Sequence, residues 1–130
     1  MEENPLVLCD TNIIIDFYKE HSDTLSQLRI IGQEQIAISV ITAGELLYGA
    51  LNKEEYKQIR QDISHLHLLY SDPFIDKCFL ELMDKYSLSH NVSLPDGLIA
   101  ATAIIEDIPL YTHNRKDFRY IEELELYQTK

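Results

Sequence analysis

Four carboxylic acids in this 130-residue sequence stand where one site can gather them: Asp10, Glu45, Asp96 and Asp117. Carboxylates that lie close together repel one another and raise each other's pKa unless a cation sits among them. Their hard oxygen atoms suit Mg²⁺ or Mn²⁺, which proteins hold through a few carboxylates while water or phosphate completes the coordination. Two such ions roughly 4 Å apart would activate a water molecule and stabilise the leaving oxygen of a phosphodiester. These residue types therefore indicate metal-dependent hydrolysis.

Each acid also has an ordinary structural explanation. Asp10 ends the apolar run PLVLCD, where aspartate commonly caps the next helix. Asp96 follows Pro95 in the first turn of a helix, whose dipole favours an acid there by about 0.5 kcal/mol. Asp117, in THNRKDF, is a residue type that initiates turns. Glu45 can extend to solvent or pair with a lysine, although no basic residue lies four positions away.

The helix that carries Glu45, ITAGELLYGAL, is apolar around most of its circumference. Only Thr42, Glu45 and Gly49 share the remaining narrow arc. A helix of this kind is expected to be buried on most sides. The pattern therefore predicts that Glu45 points into a small recess and not onto a solvated face.

The elements that must position these acids alternate between strands and helices. We predict strands at 5–10, 35–40, 67–70, 109–112 and near 124–127, and helices at 11–20, 23–31, 41–51, 53–66, 71–89 and 95–107. This alternation is typical of a mostly parallel central sheet flanked by helices, an α/β/α sandwich. Such sheets bind ligands at the carboxyl ends of their strands, where the strand order switches. No repeat or flexible linker divides the sequence, so we expect a single domain over residues 1–130.

The charge balance limits the kinds of partner. With 11 basic and 22 acidic residues the formal net charge is −11, which argues against nucleic-acid binding through a broad basic face. A small basic rim around a metal-containing cleft remains compatible with it. Two basic groups are candidates for phosphate contacts, with an ordinary solvated rim as the alternative. They are Arg115, Lys116 and Arg119 beside Asp117, and Lys53, Lys57 and Arg60 after Glu45.

The cysteines and histidines offer no competing chemistry. Cys9 and Cys78 are flanked by apolar residues, which favours buried free thiols in a reducing cytoplasm over a disulfide. His65 and His67 alternate on a predicted strand without a cysteine pair, so they form no zinc pattern. We find no signal-peptide pattern and no apolar run as long as a membrane span. The sequence therefore predicts a cytoplasmic location.

Four segments, LCDTNIIID, ISVITAGELLYGA, PDGLIAATAI and PLYTHNRKDF, resemble in this order the PIN-domain ribonucleases, and most closely the VapC-type toxins of bacterial toxin–antitoxin pairs. The resemblance runs from about Leu6 to Phe118. It implies a Mg²⁺- or Mn²⁺-dependent endoribonuclease with a compact α/β/α fold, usually dimeric and inhibited by a small antitoxin protein. The positions that match the four acids of the family are Asp10, Glu45, Asp96 and Asp117, and those that match its supporting polar residues are Thr11, Asn12, Thr112 and Asn114.

Three other functions are alternatives to this one. A haloacid-dehalogenase-like phosphatase needs a second aspartate two residues after Asp10, where this sequence has Asn12. A binding module that kept the fold without catalysis, and a housekeeping PIN nuclease without an antitoxin, are the remaining alternatives. If an antitoxin exists, we expect it to place an Arg or Lys among the carboxylates. The apolar stretch IIIDFY either lines a groove for its helix or packs in the core.

Overall fold

Four short parallel strands form the centre of the protein in a computed structural model that describes residues 5–130. The strands are β1 (Val7–Cys9), β2 (Ile36–Ser39), β3 (His67–Leu69) and β4 (Leu110–Tyr111), in the order β3-β2-β1-β4. Since β1 pairs with β2 on one side and with β4 on the other, the strand order switches direction at β1. This is the place where an open parallel sheet binds ligands.

Six α-helices connect these strands within the described residues. They are α1 (Thr11–Tyr18), α2 (Ser22–Ile31), α3 (Val40–Tyr48), α4 (Lys53–Ile63), α5 (Pro73–His90) and α6 (Leu94–Glu106). Two single-turn 3-10 helices, Gln33–Gln35 and Arg115–Asp117, complete the regular structure. Every helix predicted from the sequence is present, and its ends differ from the prediction by a few residues. Over residues 5–130 no helix is both long and apolar enough to cross a membrane.

Side-chain caps determine where α1 and α3 begin. Asp10 directly follows β1, and its carboxylate accepts a hydrogen bond from the Thr11 N–H at 2.8 Å. Ser39 is the last residue of β2, and its hydroxyl accepts a hydrogen bond from the Thr42 N–H at 3.2 Å. Because the caps satisfy N–H groups that the first helical turn leaves unpaired, each helix starts at the carboxyl end of its strand. The polar residues of both helix starts are thereby brought to one edge of the sheet.

The hydrophobic core consists of two layers, one on each face of the sheet. Successive residues of a strand point to opposite faces, so Val7 and Cys9 pack on the side of α1, α2 and α4, while Leu8 packs on the side of α5 and α6. Both cysteines are free: Cys9 is fully buried and Cys78 is partly buried. Burial raises the pKa of the Cys9 thiol, which makes it an inert core residue.

The final predicted strand is reduced to one bridge. Leu126 pairs with Leu110 in parallel, supported by hydrogen bonds from the Leu110 N–H to the Glu125 carbonyl and from the Tyr127 N–H to the Leu110 carbonyl. The prediction of a strand at 124–127 is therefore wrong in its extent. Its physical reason is that β4, the strand on which it pairs, is only two residues long.

The prediction that α3 is buried on most sides is also wrong. Its residues Thr42, Ala43 and Leu46 are buried, but Glu45 is exposed and the Tyr48 side chain is 93 % exposed. The prediction counted Tyr48 as apolar and therefore buried, but a tyrosine can also lie at the surface in contact with water. Consequently α3 presents an open face at the carboxyl end of β2.

Candidate active site

Asp10 is the most buried acid among residues 5–130, with 5 % of its surface exposed. One carboxylate oxygen, Oδ1, accepts the Thr11 N–H, and the other, Oδ2, accepts the Thr112 hydroxyl at 2.7 Å. The Asp10 N–H donates to the Tyr111 carbonyl of β4 at 2.9 Å, which holds the residue beside that strand. Burial raises the pKa of Asp10, the Thr112 and Thr11 hydrogen bonds oppose this, and the charges of Glu45 and Asp117 raise it further.

Glu45 is positioned by a hydroxyl group of α1. The Thr11 hydroxyl donates to Glu45 Oε1 at 2.7 Å, and the same hydroxyl lies 3.0 Å from the Thr42 hydroxyl. Thr42 in turn lies 3.4 Å from the hydroxyl of Ser39. This row of hydroxyl groups joins α1 to α3 across the carboxyl ends of β1 and β2. Glu45 is nevertheless exposed, so the prediction that it does not lie on a solvated face is wrong.

Asp96 lies in the first turn of α6, behind the N-cap Ser93, whose hydroxyl accepts the Asp96 N–H at 3.2 Å. Its neighbour Gly97 allows α6 to approach α5 closely, since a Cβ there would lie 3.1 Å from the Phe79 ring. Burial, followed by the charges of Asp10 and Asp117, raises the pKa of Asp96 to about 6. The carboxylate that opens this apolar helix is therefore only partly compensated by the protein itself.

Asp117 ends the 3-10 helix Arg115–Asp117 and is exposed. Its charge raises the pKa of both Asp10 and Asp96, so it belongs to the same electrostatic environment. We call the region of Asp10, Glu45, Asp96 and Asp117, which are linked by their charges, the carboxylate cleft. Over residues 5–130, none of these four acids forms a salt bridge with a lysine, arginine or histidine.

The acids of the carboxylate cleft supply hard oxygen donors, the kind that Mg²⁺ and Mn²⁺ bind. Their charges act on Asp10 and Asp96 without a basic partner among the described residues. The buried Oδ1 of Asn12 accepts no hydrogen bond from any described residue. Within the described part of the chain, no group of three or more His, Cys, Asp or Glu side chains is arranged so that it could hold a metal ion by itself. Mg²⁺ in particular is commonly held by one or two carboxylates, with water and substrate phosphate completing its coordination. An open cleft with few direct ligands suits that mode of binding.

Some polar residues of this region were predicted and others were missed. Thr11 and Thr112 orient Glu45 and Asp10 directly, and the Asn114 N–H donates to the Thr112 hydroxyl at 3.0 Å. Thr42 was not singled out as a site residue, although its place on the arc of Glu45 was a usable signal. Asp16, which binds His113 beside Thr112, was also missed, because nothing in a local pattern links residues 97 positions apart.

The basic residues predicted to contact phosphate are all exposed. Arg115 donates to the Tyr127 carbonyl at 3.2 Å, so it also attaches the chain terminus to the loop after β4. Lys116 and Arg119 flank Asp117 at the edge of the carboxylate cleft. Lys53, Lys57 and Arg60 lie on α4, which packs against α3. Their role in phosphate binding remains a prediction.

Most of the chain matches known proteins. The family model for the PIN domain matches residues 7–124. The ribonuclease VapC1 of Methanocaldococcus jannaschii is 32 % identical, covering 96 % of this chain and 88 % of that protein. The ribonuclease VapC2 of Rickettsia felis is 34 % identical, covering 92 % and 94 %. A chain of a toxin–antitoxin complex from Klebsiella pneumoniae superimposes with a TM-score of 0.77 at 30 % identity, covering 91 % of this chain and 94 % of its own length.

Proposed function

Because this chain belongs to the PIN domain family, we propose that it is a cytoplasmic endoribonuclease that hydrolyses RNA phosphodiesters with Mg²⁺ or Mn²⁺ and acts as the toxin of a toxin–antitoxin pair. The observation that carries the proposal is the carboxylate cleft, in which burial and the charges of neighbouring acids raise the pKa of Asp10 and Asp96, with no basic partner among the described residues. The ribonuclease relatives and the toxin–antitoxin neighbour support the same reaction class and the same partner.

Asp10, Glu45, Asp96 and Asp117 are the residues that would hold the metal. A bound Mg²⁺ or Mn²⁺ supplies charge stabilisation for the phosphate and favours ionisation of a water nucleophile. Asp10 is suited to direct ligation because hydrogen bonds to both of its oxygens fix the direction of its remaining lone pairs. Asp117 is exposed at the edge of the cleft, where it can orient the attacking water and accept its proton.

The hydroxyl groups of this chain orient the acids. Thr11 holds Glu45 and Thr112 holds Asp10, so both carboxylates are positioned before RNA arrives. Such preorganisation lowers the barrier, since the groups do not reorganise during the reaction. We propose that water attacks phosphorus in line and that the chain forms no covalent intermediate with the RNA.

A cleavage assay on total RNA tests the proposed reaction. Purified wild-type chain is incubated with and without Mg²⁺, alongside an Asp10→Asn variant whose fold is checked by circular dichroism. We expect cleavage products only from the wild type with metal. Full activity in excess chelator, or in the Asp10→Asn variant, contradicts the proposed mechanism.

An apolar groove beside α1 provides a surface for the antitoxin. It has a volume of about 240 Å³ and lies between α1, α2 and α4, lined chiefly by Ile14, Phe17, Tyr18, Leu28, Ile36 and Leu66. Phe17 and Tyr18 remain 46 % and 41 % exposed, so the stretch IIIDFY is only partly used by the core. We propose that an amphipathic helix of the antitoxin occupies this groove. An adjoining Arg or Lys then enters the carboxylate cleft, where it replaces the metal's charge.

Co-expression with the small reading frame beside its gene tests the toxin assignment. We expect the two chains to co-purify through a tag on either one, and the nuclease alone to arrest growth. A Phe17→Asp substitution in the groove, at a side chain that is 46 % exposed, should abolish co-purification and leave cleavage of RNA intact. If the wild-type chains do not co-purify and the nuclease leaves growth unaffected, a housekeeping nuclease replaces the toxin.

We also expect a homodimer, as the family resemblance implies. Large apolar side chains outside the groove support it, since Tyr48, Leu51, Leu88 and Leu94 are between 65 % and 101 % exposed. Light scattering coupled to size-exclusion chromatography measures the mass directly. A mass equal to the 15.1 kDa chain at micromolar concentration contradicts the expectation.

A further inference from the structure

A second polar cluster lies toward the other end of α1. Asp16 Oδ2 is 2.7 Å from His113 Nε2 and accepts the Thr24 hydroxyl at 3.2 Å. The Thr24 hydroxyl also lies 3.3 Å from His113 Nε2. On the other oxygen, Asp16 Oδ1 is 3.9 Å from His21 Nε2. We call Asp16, His21, Thr24 and His113 the Asp16 cluster. It joins α1, α2 and the segment that follows β4.

The segment of residues 112–114 is the one that orients Asp10. Thr112 donates its hydroxyl to Asp10 Oδ2 and receives the N–H of Asn114 on the same oxygen atom. The position of the Asn114 N–H therefore selects the rotamer in which Thr112 donates to Asp10. Any change in the backbone at residue 113 moves the Asn114 N–H and releases that rotamer.

The His113 side chain is the link between this segment and α1. His113 is 41 % exposed, so its position is set by the hydrogen bond to Asp16 more than by burial in the core. Asp10 caps α1 and Asp16 lies within the same helix, which keeps the two carboxylates at a fixed separation. Attaching His113 to Asp16 therefore fixes the segment relative to Asp10 at two points.

We propose that Asp16 and His113 are positioning residues of the nuclease: their hydrogen bond holds residues 112–114 in the conformation in which Thr112 donates to Asp10. The proposal rests on the proposed function of the carboxylate cleft. Neither residue faces the substrate phosphate in this scheme, since both act through Thr112. Loss of such a supporting interaction commonly lowers activity about 10- to 100-fold.

Steady-state cleavage of a single-stranded oligoribonucleotide with Mg²⁺ tests the activity of four variants: His113→Ala, Asp16→Ala, the double variant and His113→Gln. We expect His113→Ala and Asp16→Ala each to lower kcat about tenfold or more, with KM within about twofold of wild type. The double variant should lose no more than either single one, because both remove the same hydrogen bond. His113→Gln keeps an N–H donor and should restore most of kcat. His21→Ala is the matched control: it contacts the same carboxylate but is not on the segment, and kcat should be unchanged.

Amide hydrogen exchange of the metal-free chain supplies a readout independent of activity. In His113→Ala the Asn114 amide should exchange at least about tenfold faster, while the amides of β1 and β2 keep their wild-type rates. Unchanged Asn114 exchange, an unchanged kcat, an equal loss in His21→Ala, or failure of His113→Gln to recover activity each overturns the positioning role. If the wild type cleaves no RNA, the proposed function fails, and the exchange measurement still decides whether His113 holds the segment.

Discussion

Helix α1 connects two acidic regions that differ in whether the carboxylates have basic partners that stabilise their charge. At its N-terminus, Asp10 shares the carboxylate cleft with three other acids and no basic partner within the described residues. Within the helix, Asp16 has two histidines and a threonine hydroxyl around it. Although desolvation raises the pKa of Asp16, the His113 hydrogen bond and the His21 charge bring it below the usual range. Burial and neighbouring charges raise the pKa of Asp10 and Asp96 instead.

The opposite pKa shifts distinguish Asp16, which stabilises the fold, from Asp10 and Asp96, whose charges are available to a ligand. A compensated carboxylate such as Asp16 already has its favourable interactions in the folded chain. The uncompensated cleft carries an electrostatic cost that a divalent cation removes on binding, so the binding energy of the metal includes relief of that repulsion. A raised carboxylate pKa with specific charged neighbours is one signature of a functional site.

The largest expected effect is on catalysis at the uncompensated end. Asp96→Asn keeps the size of the side chain and the Ser93 cap but loses the negative charge. We expect cleavage to fall by about 10²- to 10³-fold, comparable with removal of one preorganised electrostatic group in other enzymes. Asp84→Asn, an exposed acid on α5, is the matched control and should cleave as wild type. Equal activity in both variants would remove Asp96 from the site.

A smaller effect is expected from the hydroxyl that supports Asp10. Thr112→Val is nearly isosteric but cannot donate to Asp10 Oδ2 or accept the Asn114 N–H. We expect a loss of about 10- to 100-fold in kcat. Thr102→Val, which removes a hydroxyl that donates to the Leu98 carbonyl within α6, should leave kcat near its wild-type value. Equal losses in the two variants would point to general destabilisation.

Substitutions in the two regions should change the free energy of unfolding in opposite directions. The pKa of Asp96 is raised from 3.8 to about 6, so the folded chain binds this proton more tightly than the unfolded chain. The contribution of Asp96 to the stability of the metal-free protein therefore falls as pH rises from about 4 to 6, and its full cost is present at pH 7. Asp96→Asn should remove that cost and stabilise the metal-free chain at pH 7 by about 1 kcal/mol, after allowance for solvent screening.

Asp16→Asn should destabilise the metal-free chain at pH 7, which is the opposite of the effect of Asp96→Asn. Because the folded pKa of Asp16 is lowered, its carboxylate stabilises the fold above the unfolded pKa, and this contribution is lost as pH falls through the folded value. Thermal unfolding at pH 7 without metal, with both variants beside wild type, measures the two signs. Mg²⁺ should raise the melting temperature of wild type and of Asp16→Asn, but much less that of Asp96→Asn. Two shifts of the same sign would contradict the distinction.

The smallest expected effect is on RNA affinity at the rim of the cleft. Lys116→Ala combined with Arg119→Ala removes two positive charges beside Asp117. We expect weaker binding of RNA to an inactive Asp10→Asn background and a salt dependence lowered by about one unit of slope for each phosphate that is no longer neutralised. Lys53→Ala with Lys57→Ala tests the other basic group in the same way. Lys77→Ala on α5 is the control, and an equally weakened affinity there would indicate only a change in net charge.

Most of the architecture could be predicted from the sequence because it follows from local patterns. Apolar runs and the helical spacing of apolar residues located every helix and the four paired strands. The length of the last strand was predicted wrongly, because it depends on the strand with which it pairs. The exposure of Tyr48 was not predicted, because the residues of a helix do not show which of its faces the neighbouring elements cover.

For the carboxylate cleft, the sequence by itself determined which acids follow strands or lie in helices next to them: Asp10, Glu45, Asp96 and Asp117. Only the tertiary structure decided that Thr11 holds Glu45 and that Thr112 holds Asp10. It also decided that His113 meets Asp16 in the neighbouring cluster. Capping and periodicity act over a few residues, so they are readable along the chain. Hydrogen bonds between groups 34, 102 and 97 positions apart arise only when the parallel sheet brings the ends of β1, β2 and β4 together.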